Sequence, residues 1–367
     1  MLDSLYNNSL AIAWAVLFIF SFILLFGQVP KTEIYRSYNK TRKILAIAMF
    51  LWAVHILLQW LFNFRTEAPY IASALNITCY YLGAILFGMA YTSLLDERYI
   101  SRRQMISDFS KWGAVCVVVW SASFLLEGRS RYIVLIAAAL FFLGDTVRIV
   151  WIFFSTYRKA VREIDNYYSE NTEAFIRWIY HSIFGISFFG LIGAVMAFAP
   201  KWAVAIYMCG GICMFVYIFI SLLNYSLNCE KVGVAVTERL SDAPPKDTGL
   251  LSDEEMNTKL EEWIKAEYYK TQGITMDDLT KFMGLNRNTL SGYFNHTLNI
   301  SFRDWITELR IADAKRMMID DPLITMDEVA ERAGFSGKSY FSTVFKRCEK
   351  TTPSEWRKEQ EHTTDLV

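Results

Sequence analysis

Ile274-Thr275-Met276-Asp277-Asp278-Leu279, continued by Gly284-Leu285-Asn286 and Phe294, recurs about fifty residues later as Ile324-Thr325-Met326-Asp327-Glu328-Val329, Gly334-Phe335-Ser336 and Phe345. Each copy reads as a short helix, a turn with glycine and a second amphipathic helix, the layout of a helix-turn-helix that reads DNA. In the first copy the supporting helix is expected over 277–283, the turn at 284–286 and the recognition helix over 287–296. In the second copy these parts fall at 326–333, 334–336 and about 338–346. Gly284 suits a left-handed turn position, and Asn286 can cap the helix that follows. Leu279, Phe282, Leu285, Leu290, Tyr293 and Phe294 are the expected core of the first unit.

A linking helix over about 302–319, with Trp305, Ile306, Leu309, Ala312, Met317 and Met318 as its main apolar positions, joins the copies. Two readers on a rigid helix can enter successive major grooves on one face of a duplex. Upstream, Ser252-Asp253-Glu254-Glu255 reads as a capping box opening a helix with Met256, Leu260, Trp263, Ile264 and Tyr268 on one side.

The remainder of the chain has another character. Hydrophobic residues make up 53% of the 367, above the roughly 45–50% of soluble domains, and they concentrate before residue 230. Predominantly apolar runs, read against about 30 Å of hydrocarbon, fall at 10–26, 44–64, 70–95, 112–126, 132–154, 175–199 and 202–227, the fourth being the shortest. The first follows Asp3 with no Lys or Arg ahead of it, so it does not read as a cleavable signal peptide. The fold class expected is all-α: a seven-helix transmembrane bundle over 1–229, a flexible linker over 230–251, a cytoplasmic double helix-turn-helix domain over 252–360 and a tail over 361–367. The linker is inferred from Ala243-Pro244-Pro245-Lys246-Asp247-Thr248-Gly249, which interrupts any continuous helix.

Loop charges orient the bundle. Lys31, Arg36, Lys40, Arg42 and Lys43 follow the first run, Arg98, Arg102, Arg103 and Lys111 the third, and Arg158, Lys159 and Arg162 the fifth. The alternate loops hold only Arg65, then Arg129 and Arg131, then Lys201. By the positive-inside rule the N-terminus is outside and the C-terminal domain lies in the cytoplasm. The outside loops at 66–69, 127–131 and 200–201 are too short for a folded sensor. A signal must then enter through the helices, from lipid, a small hydrophobic ligand or a membrane partner protein.

Ionisable and polar groups within the runs are candidates for that input. Asp145 and Arg148 lie three apart on one helix face and can pair. His55 shares a face with Gln59, and His181 lies early in the sixth run. The histidines read as metal or pH groups, or more simply as interhelical hydrogen-bonding groups. Gly190, Gly193, Ala194 and Ala197 form a small-residue stripe suited to a dimer seam or to internal packing. The six cysteines form no zinc-ligand spacing, and Cys209 and Cys213 fit packing beside Gly210 and Gly211. No catalytic motif, metal site or cofactor site is expected.

Three blocks carry a resemblance to a known family: Arg310-Ile311-Ala312-Asp313-Ala314-Lys315, then Gly334-Phe335-Ser336-Gly337-Lys338-Ser339-Tyr340-Phe341-Ser342 through Phe345-Lys346-Arg347, then Thr352-Pro353-Ser354-Glu355-Trp356-Arg357. From about 252 to 358 the chain resembles the AraC/XylS family of bacterial transcription regulators. The resemblance implies a seven-helix DNA-binding domain that commonly acts as a dimer and activates promoters, with RNA polymerase as a partner. It does not extend to the apolar half, where such regulators usually carry a soluble ligand-binding domain. Three positions depart from the family pattern: Gly292 and Thr343 stand where relatives often have Arg, and Lys350 where many have a turn glycine.

Base contacts are therefore assigned to Arg287, Asn288 and Ser291 in the first unit and to Lys338, Ser339 and Ser342 in the second. Lys346 and Arg347 are assigned to phosphate. Net charge is zero, with 37 basic and 37 acidic residues, so bulk charge does not point to nucleic acid. From residue 250 onward acids outnumber bases, which predicts weak, salt-dependent binding by one copy. The function expected is a one-component regulator in the bacterial inner membrane, acting on promoter DNA. The alternatives are a transporter, receptor or membrane enzyme with an appended helix-turn-helix domain, or such a domain used for protein interaction. No broken-helix repeat or set of facing carboxylates favours transport.

Overall fold

Long apolar runs in the first half and capping signals in the second both become helix. The computed structural model describes residues 2–32, 35–169, 176–196, 199–237 and 252–364, and among these there is no strand, only an isolated antiparallel bridge between Tyr168 and Thr275. The chain divides into one unit of Met1–Ala160 with Ala174–Val236 and another of Val161–Glu173 with Thr237–Val367.

The first unit is built from α1 (Leu2–Phe26), α2 (Arg36–Leu61), the single turn α3 (Phe64–Glu67), α4 (Pro69–Leu95), α5 (Arg102–Leu125), α6 (Gly128–Tyr167, whose last residues fall in the second unit), α7 (Arg177–Val195) and α8 (Lys201–Thr237). Central to it is α4, which packs on α2, α5 and α7 and buries Ala74, Tyr81, Phe87 and Tyr91 completely. Trp52 wedges edge-on to Phe215, with ring centres 5.2 Å apart, and tilts onto Phe87 at 5.5 Å. The outward faces are apolar too: Phe22, Ile133, Leu140, Trp151, Ile206 and Leu227 are all exposed. That is far more open hydrophobic surface than water tolerates on a monomer.

Among the described residues five helices, in α1, α2, α4, α6 and α8, are long and apolar enough to cross a membrane. The fourth and sixth runs expected from sequence lie in α5 and α7. Charge explains why α5 stands apart: Arg102, Arg103, Asp108 and Lys111 occupy its first turns, so its uncharged stretch is short. In sequence the polar linker starts at Glu230, yet α8 continues to Thr237. The Ala243-to-Gly249 segment lies outside the described residues, as do Ala197 of the small-residue stripe and 365–367 of the tail. Gly193 packs internally, since a Cβ there would meet Tyr207 Oη at 2.5 Å and the Tyr80 ring at 2.6 Å.

The second unit contains α9 (Asp253–Lys265), α10 (Met276–Met283), α11 (Arg287–Gly292) with a π-helical continuation (Tyr293–Leu298), α12 (Phe302–Asp320), α13 (Met326–Arg332), α14 (Lys338–Glu349) and α15 (Pro353–Thr364). Three capping boxes start α9, α10 and α13, formed by Ser252 with Glu255, Thr275 with Asp278 and Thr325 with Glu328. The Thr325 backbone N–H and hydroxyl hold the Glu328 carboxyl below its ordinary pKa. Gly284 and Gly334 sit at φ 68° and 87°, so both copies turn through the left-handed region.

Two cores share α12. Phe302 and Ile306 at its start are fully buried, as are Met276, Leu279, Leu290 and Phe294 of the first helix-turn-helix. Further along, Ile311, Ala314 and Met318 join Ile324, Val329, Phe335, Phe341, Phe345 and Trp356 in the second core. One sequence expectation about this packing is corrected, that Phe282 belongs to the core. Phe282 is 40% exposed and Tyr268 45%, the two rings meeting edge-on at 5.5 Å on the rim, because their helix faces end where the core does. Ala312 is exposed, whereas Arg310 and Asp313 beside it are buried.

The two turn glycines make a comparison that tests this packing. A Cβ at Gly284 would meet nothing within 4 Å, but at Gly334 it would lie 2.3 Å from the Lys270 carbonyl oxygen. We expect Gly284→Ala to cost about 1 kcal/mol from its positive φ. Gly334→Ala should cost about 3 kcal/mol, because backbone must also shift. Amide hydrogen exchange of the second unit in the full chain measures both.

Candidate nucleic-acid interface

Helix α14 divides cleanly into a buried and an open side. Phe341, Val344 and Phe345 point into the second core, while Lys338, Ser339, Thr343, Lys346 and Arg347 are exposed and Ser342 is half-buried. Lys338 Nζ reaches Asp327 at 2.9 Å, and Arg347 lies 3.7 Å from Asp304. Exposed pairs of this kind are worth little, so polyanionic phosphate can displace either carboxylate. Lys350 adopts φ 65° at the end of α14, the left-handed position where relatives were expected to carry glycine.

What closes the back of this unit is the terminal block. Trp356 packs on Phe345 at 5.9 Å beneath Lys315. Arg357 donates to the Ile324 carbonyl at 2.8 Å and to the Pro322 carbonyl at 3.1 Å. The exposed face of α14 is thereby held from behind by side chains that never reach it.

The first unit is built differently. Asn286 caps α11 through the Thr289 N–H at 2.8 Å, as its sequence position suggests. The helix then loosens into π geometry from Tyr293 to Leu298. Asn288 is exposed, while Arg287 and Ser291 are half-buried. Asn295 donates to the Ser291 carbonyl and hydroxyl at 2.8 and 3.2 Å. Arg287 lies over the ring of Tyr167, 4.2 Å from its centre. Nothing in the sequence pattern announced that contact.

Between the two helix-turn-helix copies Arg310 acts as a bolt. Its side chain is 1% exposed and donates to the Tyr269 and Thr271 carbonyls, each at 2.8 Å. Its guanidinium stands 5.8 Å from the Phe335 ring centre. Asp313, one turn on, holds Lys270 at 3.1 Å and pairs with Arg316. These two residues of the family-like block therefore carry position, not DNA contact.

In the apolar unit, Asp145 and Arg148 pair at 2.6 Å, and the cluster is larger than the sequence suggested. Arg148 also reaches Asp108 at 2.7 Å, Lys111 lies 3.5 Å from Asp145, and Tyr81 donates to Asp145 at 2.9 Å. Lys111 was read as a loop charge, but it is half-buried against this cluster, and Asp108, one turn before it on α5, is buried. His55 and His181 are held by different surroundings. His55 is buried and hydrogen-bonds Asn76 at 3.1 Å, which also receives Gln59 and donates to the Gly193 carbonyl. His181 is exposed beside Tyr180. No group of His, Cys, Asp and Glu among the described residues is arranged to hold a metal. A small pocket is lined by His55, Gln59, Arg65, Asn76, Tyr80 and Tyr207.

The fold and the open face of α14 define a double helix-turn-helix DNA-binding domain. A family model described as a helix-turn-helix domain matches residues 279–359. The C-terminal region is 31% identical over 94 residues to the HTH-type transcriptional regulator YpdC of Escherichia coli K12, covering 26% of this chain and 32% of that protein. It is 30% identical over 99 residues to the virulence regulon transcriptional activator VirF of Yersinia enterocolitica, covering 27% and 35%. With the arabinose operon regulatory protein of Salmonella typhimurium it shares 36% over 73 residues, covering 20% and 26%. The chain thus spans between about a quarter and a third of the length of these relatives. No solved structure matches. The C-terminal domain is an AraC-type DNA-binding domain of the kind found in transcription regulators, and the likeness is confined to that region.

Two variants probe the two clusters. Thr343 is exposed on α14, so Thr343→Arg should tighten duplex binding and steepen the salt dependence by about 0.9 in log–log slope, one added phosphate contact. A titration at several salt concentrations reads this out. Arg148→Leu removes the nearer of the two cations that Asp108 and Asp145 share, leaving Lys111 at 3.7 and 3.5 Å, and should lower the stability of the apolar unit by about 2 kcal/mol. Thermal unfolding in detergent measures that loss.

Proposed function

We propose that this protein is a one-component transcription regulator embedded in the bacterial inner membrane. Its spans are α1, α2, α4, α5, α6, α7 and α8, with the N-terminus outside and the double helix-turn-helix in the cytoplasm. The observation that carries the reading is α14: a helix buried on one side, cationic and hydroxylated on the other, at the end of a chain whose first half has an apolar exterior. Loop charge supports the orientation.

In this reading Lys338, Ser339 and Ser342 contact bases, Lys346 and Arg347 contact phosphate, and Arg287, Asn288 and Ser291 serve the first unit. Two copies held in one membrane act as a homodimer and offset weak single-copy binding through effective concentration. RNA polymerase is the partner that converts promoter occupancy into activation. The signal enters through the membrane half, from a partner protein or a small hydrophobic ligand. The pocket at His55 and the Asp145–Arg148 cluster are its candidate receivers, supported by buried polar groups at positions where such groups are costly.

Chromatin immunoprecipitation of the intact protein tests this. Discrete enriched sites are expected, and a Lys338→Ala/Ser339→Ala variant should lose them. Absence of discrete sites for the wild-type protein sinks the regulator reading. For the input, Asp145→Asn should alter the transcriptional response while duplex binding by the C-terminal domain on its own stays unchanged; an unaltered response removes Asp145 from the candidates.

A further inference from the structure

Residues 161–169, which the sequence places after the fifth apolar run, fold as part of the DNA-binding unit. Ile164 is fully buried there, Tyr167 is 4% exposed and Ser169 is 2% exposed. The Ser169 N–H donates to the Ile274 carbonyl at 3.2 Å, and Tyr168 bridges Thr275, so backbone pairing joins the segment to the start of the first helix-turn-helix.

Its side chains then run along the face assigned to DNA. Tyr167 lies beneath the Arg287 guanidinium at 4.2 Å and donates its hydroxyl to Asp277 at 2.7 Å. Asn166 donates to Asn295 at 3.1 Å, and Asp165 pairs with Arg303 at the start of α12. Arg287, Ser291 and Asn295 succeed one another at intervals of four, so they share one side of the helix. The segment touches the first and last of them, and Asn295 in turn holds Ser291. An aromatic face and a carboxylate thus meet Arg287 and Arg303, two cations that a polyanionic duplex would otherwise attract.

From these contacts we infer that residues 161–169 are an intramolecular partner of the first helix-turn-helix, a strap that occupies its reading face and must leave before that unit can enter a major groove. The inference rests on the DNA-binding reading above and adds its regulation. The second unit has no such cover in the described residues, so the strapped protein engages DNA through α14 alone. The strap is the end of α6, the same helix that carries Asp145 and Arg148.

The test uses the full chain in nanodiscs and a labelled duplex recovered by selection from a random library on the wild-type protein. Hydroxyl-radical footprinting should show wild type protecting one major-groove segment. Tyr167→Ala and Asp165→Arg should extend protection to the neighbouring segment and tighten binding about tenfold, the usual scale of a coupled equilibrium. Tyr167→Phe, which keeps the ring and loses only the Asp277 bond, should fall between. Adding Arg303→Asp to Asp165→Arg should restore the wild-type footprint, which a merely misfolded variant would not do. If the strap variants keep the single-segment footprint and wild-type affinity while Lys338→Ala abolishes binding, the strap inference is overturned and the DNA-binding reading stands. If no duplex is selected, or Lys338→Ala binds as wild type does, both fall.

Discussion

The DNA-binding unit depends on one buried cation. Arg310 sits in the middle of the helix that both cores share, with its guanidinium out of water and satisfied by two backbone carbonyls, Tyr269 and Thr271. A charge placed there without those acceptors would be strongly destabilising. With them, it pins the loop that leads into the first helix-turn-helix. That loop is also where Gly334 makes its close approach, since Lys270 O lies against the second turn. The same few residues therefore set the position of one reader through hydrogen bonds and of the other through steric contact. Two readers spaced by a rigid helix are useful only if neither can slide, and this junction supplies the constraint.

From that shared foundation the two copies diverge. Their entry helices begin alike, with Thr275–Asp278 and Thr325–Glu328 capping boxes and acidic first turns. Their second helices do not. α14 keeps α-helical geometry over 12 residues and ends in Lys346 and Arg347. α11 keeps it for six before the ladder widens to π. A π segment shifts the residues after it around the axis, and such segments are frequent at functional sites. Duplicated sequence has thus become one helix with an exposed cationic face and one that the segment 161–169 packs against.

Legibility followed the range of the interaction. The supporting, linking and recognition helices of the C-terminal half were readable to within a residue or two at most ends, because caps and turn glycines are local. The recognition helix of the first copy was readable in extent but not in its π geometry. Burial was less legible. Periodicity identifies a face, not where the face ends, so Phe282 was assigned to a core it only borders. Arg310 and Asp313 defeat the default that charged helix positions are solvated. Asp108 and Lys111 do the same in α5, where the pair partner of Arg148 comes from another helix. The strap was invisible for a stronger reason. Asp165, Asn166 and Tyr167 meet residues more than a hundred positions away, and nothing in their own spacing encodes the match.

The strength of the strap decides whether it suits a switch. A cation–π contact contributes about 0.5–2 kcal/mol, each hydrogen bond about 0.5–1.5 kcal/mol, and a largely buried ion pair adds to these. The entropy of ordering the segment opposes them, and a strap suited to a switch is one whose balance leaves the closed form ahead by no more than a few kcal/mol. A contact ten times stronger would close the first reader permanently, and one much weaker would leave it open in most molecules. At a few kcal/mol the closed form dominates, yet a ligand with a hundredfold preference for the open form can redistribute the population. On the proposed reading, the apolar half need not rebuild the DNA-binding domain to regulate it. It needs only a differential hold on the helix whose last turn is the strap.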